Sequence, residues 1–130
     1  EMVAKQTANW EKTEAYDKME AMLQANPDIE GVICGNDTML EGVCAALQAA
    51  GKKLPVIGVD GSDEAAALIK SGDATGTALQ QFAVIAEMAV EQADQYLKEG
   101  STGVDEKQLV DCIAITSENV DKLAGFVYTE

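Results

Sequence analysis

The chain has 130 residues, enough for one domain with a sizeable core, and 47% of them are hydrophobic, too many for a disordered polymer. Its net charge of −14, without a single arginine, should repel nucleic acids and anionic membrane surfaces. The absence of histidine excludes imidazole acid–base catalysis, histidine metal sites and Ser-His or Cys-His nucleophiles. No basic, apolar leader stands at Glu1, so we expect a mature chain or a fragment.

Short apolar runs alternate along the chain with segments of helical periodicity. The predicted strands are residues 2–8 (weak), 31–35, 54–60, 74–80 and 108–116. The predicted helices are residues 11–25, 38–50, 63–70 and 82–98, followed by a short final helix that Ser117 caps and that holds Val120 and Leu123. Because the strands are apolar rather than alternating, they indicate a parallel sheet with helices on both faces. The predicted fold class is α/β, a Rossmann-like parallel sheet flanked by helices.

The three cysteines have an odd count and no CxxC spacing. Cys34 lies in a predicted strand and Cys44 in a predicted helix, and Cys112 lies in the last strand. We therefore expect small buried hydrophobic side chains rather than a disulfide framework. No D-x-D-x-D-G loop is present, so no metal site is predicted.

One polar or aromatic residue follows or ends each predicted strand of the first four units. These residues are Trp10, Asn36, Asp60 and Gln80, at gaps of 26, 24 and 20 residues. Each gap is about one βα unit, so the four side chains should reach the same edge of the sheet, where ligands bind in such folds.

This set of side chains suits a neutral polyhydroxylated ligand. An indole packs on the C–H face of a sugar, a carboxylate accepts hydrogen bonds from two neighbouring hydroxyls, and amides both donate and accept. Nothing in the set pairs a nucleophile with a base, so we expect binding without turnover, with no catalytic residue and no cofactor.

The residues around the second strand end also fit a structural explanation. Residues 38–41 have the pattern of a capping box, so Asp37 and Thr38 are predicted to start and cap the helix that follows. Asn36 lies one step earlier and is less well explained by capping.

The other three candidates have structural explanations as well. Asp60 precedes a glycine and Ser62, and this sequence is also typical of a turn that feeds a helix capped by Ser62. Trp10 taken alone favours a core position, and Gln80 taken alone indicates nothing. Only the convergence of the candidates favours a ligand site.

Five motifs then occur in fixed order: "NW" at 9–10, "GNDTMLEG" at 35–42, "ALQAAGK" at 46–52, "VIGVDGS" at 56–62 and "GTALQQ" at 76–81. Together they resemble the carboxy-terminal half of the ribose-type periplasmic sugar-binding proteins, the solute receptors of sugar ABC transporters. The resemblance spans essentially all 130 residues. It implies one lobe of a type I periplasmic binding protein fold, in a hinged receptor that closes on a sugar or sugar alcohol.

The resemblance assigns ligand contacts to the same four residues. Trp10 matches the stacking aromatic, Asn36 the turn asparagine, Asp60 the hydroxyl-binding aspartate and Gln80 the strand-end glutamine. Tryptophan stands where the ribose receptor has phenylalanine, which argues against ribose itself.

Two residues depart from the family pattern, and two parts of the family fold have no counterpart. Glu41 stands where an apolar residue is usual, and Phe82 where proline is common. The amino-terminal lobe and the first strand-helix unit of the carboxy-terminal lobe are missing. In the full fold, residues 82–107 would pack on the amino-terminal lobe. The apolar stripe from Phe82 to Leu97 should therefore lack its packing partner. We expect residues 1–130 to be a single partial domain whose helix folds back on its own sheet, or pairs with a second copy or another chain.

The resemblance implies a sugar or polyol ligand and, for the full-length protein, an ABC permease as partner. It also implies a periplasmic or extracellular location, as a membrane-anchored lipoprotein in a Gram-positive source. The alternative is the effector-binding domain of a lactose-repressor-like transcription regulator. That family more often has "F-D-D" at the second turn, and no helix-turn-helix or basic face is present here. A nucleotide-binding enzyme would need a glycine-rich phosphate loop, which is absent, so no enzyme is expected.

Overall fold

A four-stranded sheet organises the fold in the computed structural model, which describes residues 1–129. Its strands, in spatial order, are β1 (Val32–Ile33), β2 (Val56–Asp60), β3 (Gly76–Leu79) and β4 (Ile113–Thr116). β1, β2 and β3 run parallel to one another, and β4 runs antiparallel to β3. The predicted α/β class is therefore confirmed, and the predicted parallel sheet is mostly parallel, with β4 as an antiparallel edge strand.

Four α-helices follow the predicted pattern to within one or two residues at each end. They are α1 (Lys12–Ala25), α2 (Asp37–Ala49), α3 (Asp63–Ser71) and α4 (Phe82–Glu99). Local chemistry explains the ends of α3: the Ser62 hydroxyl accepts from the Ala65 N–H at 3.0 Å, and Gly72 adopts the left-handed conformation that closes the helix. No helix within residues 1–129 is long and apolar enough to cross a membrane.

The core lies between one face of the sheet and the layer formed by α1, α2 and α3. Its largest fully buried apolar side chains are Met19, Leu40, Cys44, Val56, Leu79 and Ile115. The other face of the sheet is open, since Ile33 is 84% and Ile57 42% exposed. This differs from the expectation that helices cover both faces.

The predicted strand at residues 2–8 is wrong, because this segment forms no strand in the structure. A groove of about 670 Å³, lined mainly by residues 1–6 and 28–33, lies between the amino-terminal segment and the β1 side of the sheet. A strand needs a hydrogen-bonding neighbour at about 5 Å, and no backbone hydrogen bond joins residues 2–8 to β1.

The carboxy-terminal prediction is also corrected. The strand predicted at 108–116 is confined to β4, and the predicted final helix is only a 3₁₀ turn at Val120–Lys122. Leu123 lies in β5 (Leu123–Ala124), which pairs antiparallel with β6 (Val127–Tyr128). Ser117 does not cap the turn, which begins after Asn119.

Helix α4 stands apart from the core, because none of its residues is buried. It does not fold back on the sheet, so that one of the three expected arrangements is wrong for the described chain. It instead contacts the segment that follows it, through paired hydrogen bonds of 3.0 Å between the Gln92 and Gln108 amides.

The cysteines divide into two environments. Cys34 and Cys44 are buried, as expected, whereas Cys112 is exposed, so the expectation is wrong for that residue. Burial raises the pKa of Cys34 to about 12 and that of Cys44 to about 11. The thiolate is the reactive form, so both buried thiols should be inert at neutral pH.

We therefore expect one rapidly reacting thiol per native chain in a colorimetric thiol assay at pH 8. A Cys112→Ser variant should lose the fast phase, and denaturant should release the other two thiols in the wild type. Two or more fast thiols in the native protein would contradict the burial of Cys34 and Cys44.

The contact between α1 and α2 depends on Gly42. A Cβ atom at this position would lie 2.1 Å from the Lys12 carbonyl oxygen and 3.0 Å from the Tyr16 backbone nitrogen. Both neighbours are backbone atoms, so the clash can be relieved only by separating the helices.

Gly42→Ala should therefore destabilise the protein by about 1–3 kcal/mol, as overpacked cores do, although the same change in an exposed helix usually stabilises. Gln24→Ala, on the exposed side of α1, is the control and should change stability by less than about 0.5 kcal/mol. Urea unfolding followed by circular dichroism measures both, and a Gly42→Ala protein as stable as wild type would refute this packing.

Candidate ligand-binding site

Asp60 and Gln80 meet directly at the carboxyl ends of β2 and β3. The strands are paired up to Asp60 and Leu79, which places the next residue, Gln80, beside Asp60. The Gln80 Nε2 group donates to Asp60 Oδ1 at 2.7 Å, and its backbone N–H donates to the Asp60 carbonyl at 3.2 Å. Both residues are half-buried, and Asp60 Oδ2 has no hydrogen-bond partner within residues 1–129. The pair thus presents an oriented carboxylate oxygen.

The backbone at Asp60 is strained. Its φ of +127° lies in a region that non-glycine residues rarely adopt, at a cost of about 1–3 kcal/mol. The next residue is Gly61, with φ of +84°, where a Cβ atom would lie 2.4 Å from a Leu79 side-chain carbon. The turn therefore lies directly on the sheet, and strain of this kind is typical of functional sites.

Asn36 is the N-cap of α2. Its Oδ1 accepts from the Met39 N–H at 2.9 Å, so the prediction that Asp37 and Thr38 cap this helix is wrong. Because Oδ1 faces the helix, the Nδ2 group faces away from it and has no hydrogen-bond partner in the described chain. One amide can therefore cap a helix and donate to a ligand.

Asp37 has a different role from the one predicted for it. It is only 2% exposed, and its carboxylate accepts hydrogen bonds from the backbone of Gly61 and Ser62 and from the Thr77 hydroxyl. Burial raises the pKa of this carboxyl, and the hydrogen bonds from Ser62, Thr77 and Gly61 oppose that rise. Sequence reasoning missed this role. The available signal was Gly58, a glycine inside a buried strand, where a Cβ atom would lie 2.2 Å from Asp37 Oδ1.

Trp10 lies at the surface beside Gly35, just after the end of β1. It is 65% exposed, and its ring packs on Gly35, where a Cβ atom would lie 3.1 Å from ring carbon Cζ3. Trp10 and Asn9 have φ of +65° and +48°, a second strained turn. The indole therefore lies against the residue that precedes Asn36 and remains largely open to solvent.

The structure connects the four predicted residues in two pairs. Asp60 contacts Gln80, Trp10 lies beside the residue preceding Asn36, and the Asp37 carboxylate joins the two turns. Trp10 does not end a strand, because the first predicted strand is absent. The edge offers hydrogen-bond donors and acceptors beside a largely exposed aromatic ring. Within the described chain, no group of three His, Cys, Asp or Glu residues could hold a metal ion.

Phe82, which departs from the family pattern, packs against Phe126. The ring centroids are 5.5 Å apart with an interplanar angle of 79°, an edge-to-face geometry. The start of α4, two residues after Gln80, is thereby attached to the turn between β5 and β6.

Comparison with known proteins shows the family of the chain. The model of the periplasmic binding protein domain family matches residues 1–102. The D-apiose import binding protein of Actinobacillus succinogenes is 54% identical over 127 residues, which cover 96% of this chain and 41% of that protein. The D-apiose import binding protein of Paraburkholderia graminis is 52% identical over 126 residues, which cover 96% and 40%.

The fold has a counterpart among solved structures. An ABC transporter periplasmic solute binding protein from Actinobacillus succinogenes, with bound D-allose, superposes with a TM-score of 0.86 at 29% identity. The superposition covers 93% of this chain and 43% of that one. These relatives are substrate-binding transport proteins rather than enzymes, and they give no support to the transcription-regulator alternative. The chain, which spans 41% and 40% of the two import proteins, belongs to the periplasmic binding protein family.

Proposed function

We propose that the protein containing this chain is the solute receptor of a sugar ABC importer, and that this chain supplies one half of its ligand site. The observation that supports this most is the hydrogen-bonded Asp60–Gln80 pair at the strand ends, in which Asp60 Oδ2 has no hydrogen-bond partner within residues 1–129. A carboxylate held in this way accepts hydrogen bonds from adjacent sugar hydroxyls. Such charge-assisted hydrogen bonds are stronger than those between neutral groups.

The other two predicted residues complete a sugar-binding set. Trp10 offers an open indole face to the C–H groups of a sugar, and Asn36 offers an amide donor to a hydroxyl oxygen. We propose a small neutral sugar of the D-apiose type as ligand, because two D-apiose import binding proteins share more than half of the aligned residues.

The role of Asp60 can be tested on the full-length protein that contains this chain. Asp60→Ala should weaken the binding of D-apiose by about 30-fold, since losing a charged hydrogen-bond partner costs about 2 kcal/mol. Asp17→Ala, on the exposed surface of α1, is the control and should bind like wild type. Isothermal titration with D-apiose and a panel of pentoses, hexoses and sugar alcohols gives both values. An unchanged affinity for every bound sugar would refute the site.

We also propose that residues 82–107 pack on a second lobe, formed by the part of the longer protein that the relatives have beyond the matched region. In support, α4 has no buried residue although its apolar residues lie along one stripe. Val90 is 69% and Leu97 85% exposed. Exposure of such apolar side chains on one helix face is unfavourable in water, so the face is expected to be covered by a partner. The open sheet face at Ile33 and the groove beside β1 fit the same picture of a partial domain.

This arrangement predicts a substitution whose effect depends on the length of the chain. Val90→Asp should leave the stability of the 130-residue chain within about 0.5 kcal/mol, because the side chain is exposed there. In the full-length protein it should destabilise by about 2 kcal/mol or more, because it buries an unpaired charge. Glu91→Ala is the control in both proteins, and unfolding by urea measures all of them.

Equal effects of Val90→Asp in the two proteins would contradict the second lobe. Light scattering that shows a full-length dimer dissociated by Val90→Asp would instead assign this face to a homo-oligomer.

The proposed location is the periplasm, where the receptor delivers its sugar to an ABC permease. In a Gram-positive source it would be an extracellular, membrane-anchored lipoprotein. The chain has a net charge of −14, which opposes its adsorption to anionic lipid headgroups and is compatible with free diffusion beside a membrane.

A further inference from the structure

The buried Asp37 carboxylate lies beneath the turn that carries Asp60. Its Oδ2 accepts from the Gly61 N–H at 2.9 Å and from the Ser62 N–H at 2.8 Å. Its Oδ1 accepts from the Thr77 hydroxyl at 2.7 Å. The two backbone donors are the residues that immediately follow Asp60, so the carboxylate is attached to the turn itself.

The surroundings leave this carboxylate little freedom. A Cβ atom at Gly58 would lie 2.2 Å from Asp37 Oδ1, so only a glycine at this position of β2 leaves room for the carboxylate. The Gly61 N–H also reaches the Thr77 hydroxyl oxygen, at 3.3 Å. No buried side-chain nitrogen or oxygen lacks a partner within the described chain, so the network is complete.

The strain at Asp60 explains what the network does. A φ of +127° persists in a non-glycine residue only when the surrounding structure holds it. Asp60 is held on one side by β3 and Gln80, and the residues after it are held by Asp37.

We propose that Asp37 is a positioning residue for sugar binding: it touches no ligand, but holds the Asp60–Gly61 turn in the conformation that presents Asp60 to Gln80 and to the sugar. The proposal deepens the proposed function and rests on it for the part that concerns the sugar. An asparagine at position 37 has the same shape but only one acceptor oxygen. With its NH₂ group facing the backbone donors, it would lose both hydrogen bonds to the turn. With its NH₂ group facing the Thr77 hydroxyl, it would keep both, but as weaker bonds to an uncharged oxygen, so the turn is held less firmly in either orientation.

The first measurement needs no ligand. In ¹H–¹⁵N spectra of the 130-residue chain, Asp37→Asn should shift the Gly61 and Ser62 amide resonances upfield and speed their hydrogen exchange at least about tenfold. Asp63→Asn is the matched control, because Asp63 also accepts a backbone hydrogen bond, from Gly125 at 2.8 Å, but on an exposed surface. Unchanged Gly61 and Ser62 amides in a folded Asp37→Asn protein would overturn the proposal.

The second measurement separates positioning from general loss of stability. In the full-length protein, Asp37→Asn should weaken D-apiose binding about tenfold or more when Asp60 is present. In an Asp60→Ala background the same change should weaken it less than about twofold, because a residue that acts through Asp60 cannot act without it. Thr77→Val, which removes one donor to Asp37, should give a smaller effect with the same dependence on Asp60.

Equal effects of Asp37→Asn in both backgrounds would overturn the positioning role and leave a structural one. If Asp37→Asn does not fold, Thr77→Val in the two backgrounds decides the question in the same way. If wild type binds no sugar in the panel, the proposed function fails, and the amide measurement still decides whether Asp37 holds the turn.

Discussion

The buried Asp37 carboxylate is the interaction on which the arrangement of the strand ends depends. It begins α2, yet its hydrogen bonds go to the turn after β2 and to the middle of β3. Three segments far apart in the chain are thereby fixed to one another at the edge where ligands bind in this class of sheet. A carboxylate is suited to this position because it only accepts, and the three groups around it only need to donate.

This network also separates two kinds of polar residue at one edge. Asp37 is removed from water and fully hydrogen-bonded, whereas Asp60 is half-buried and has one oxygen without a hydrogen-bond partner in the described chain. The first arrangement provides rigidity, and the second provides a group that a ligand can reach. A rigid inner layer lowers the entropy that a binding site loses when its ligand arrives, so the two arrangements support each other.

The sequence predicted the helices well because their apolar residues recur at the helical period and their ends have local signals, such as Ser62 and Gly72. It predicted strands less well. Residues 2–8 have the composition of a strand, but a strand exists only where a neighbour supplies backbone hydrogen bonds, and none joins these residues to β1. The prediction of a final helix was wrong for a similar reason, because Leu123 pairs with Tyr128 in a short hairpin.

The chain by itself determined which side chains stand one βα unit apart, and hence that Asn36, Asp60 and Gln80 approach one edge. It also determined the α/β class and the family. Only the tertiary structure decided that Asn36 caps α2 and that Asp37 holds the neighbouring turn. The physical reason is that Asn36 and Asp37 both have side chains able to cap a helix, and the local pattern favoured Asp37 although Asn36 is the cap. The partners that distinguish them, Gly61, Ser62 and Thr77, lie 24 to 40 residues away in the chain.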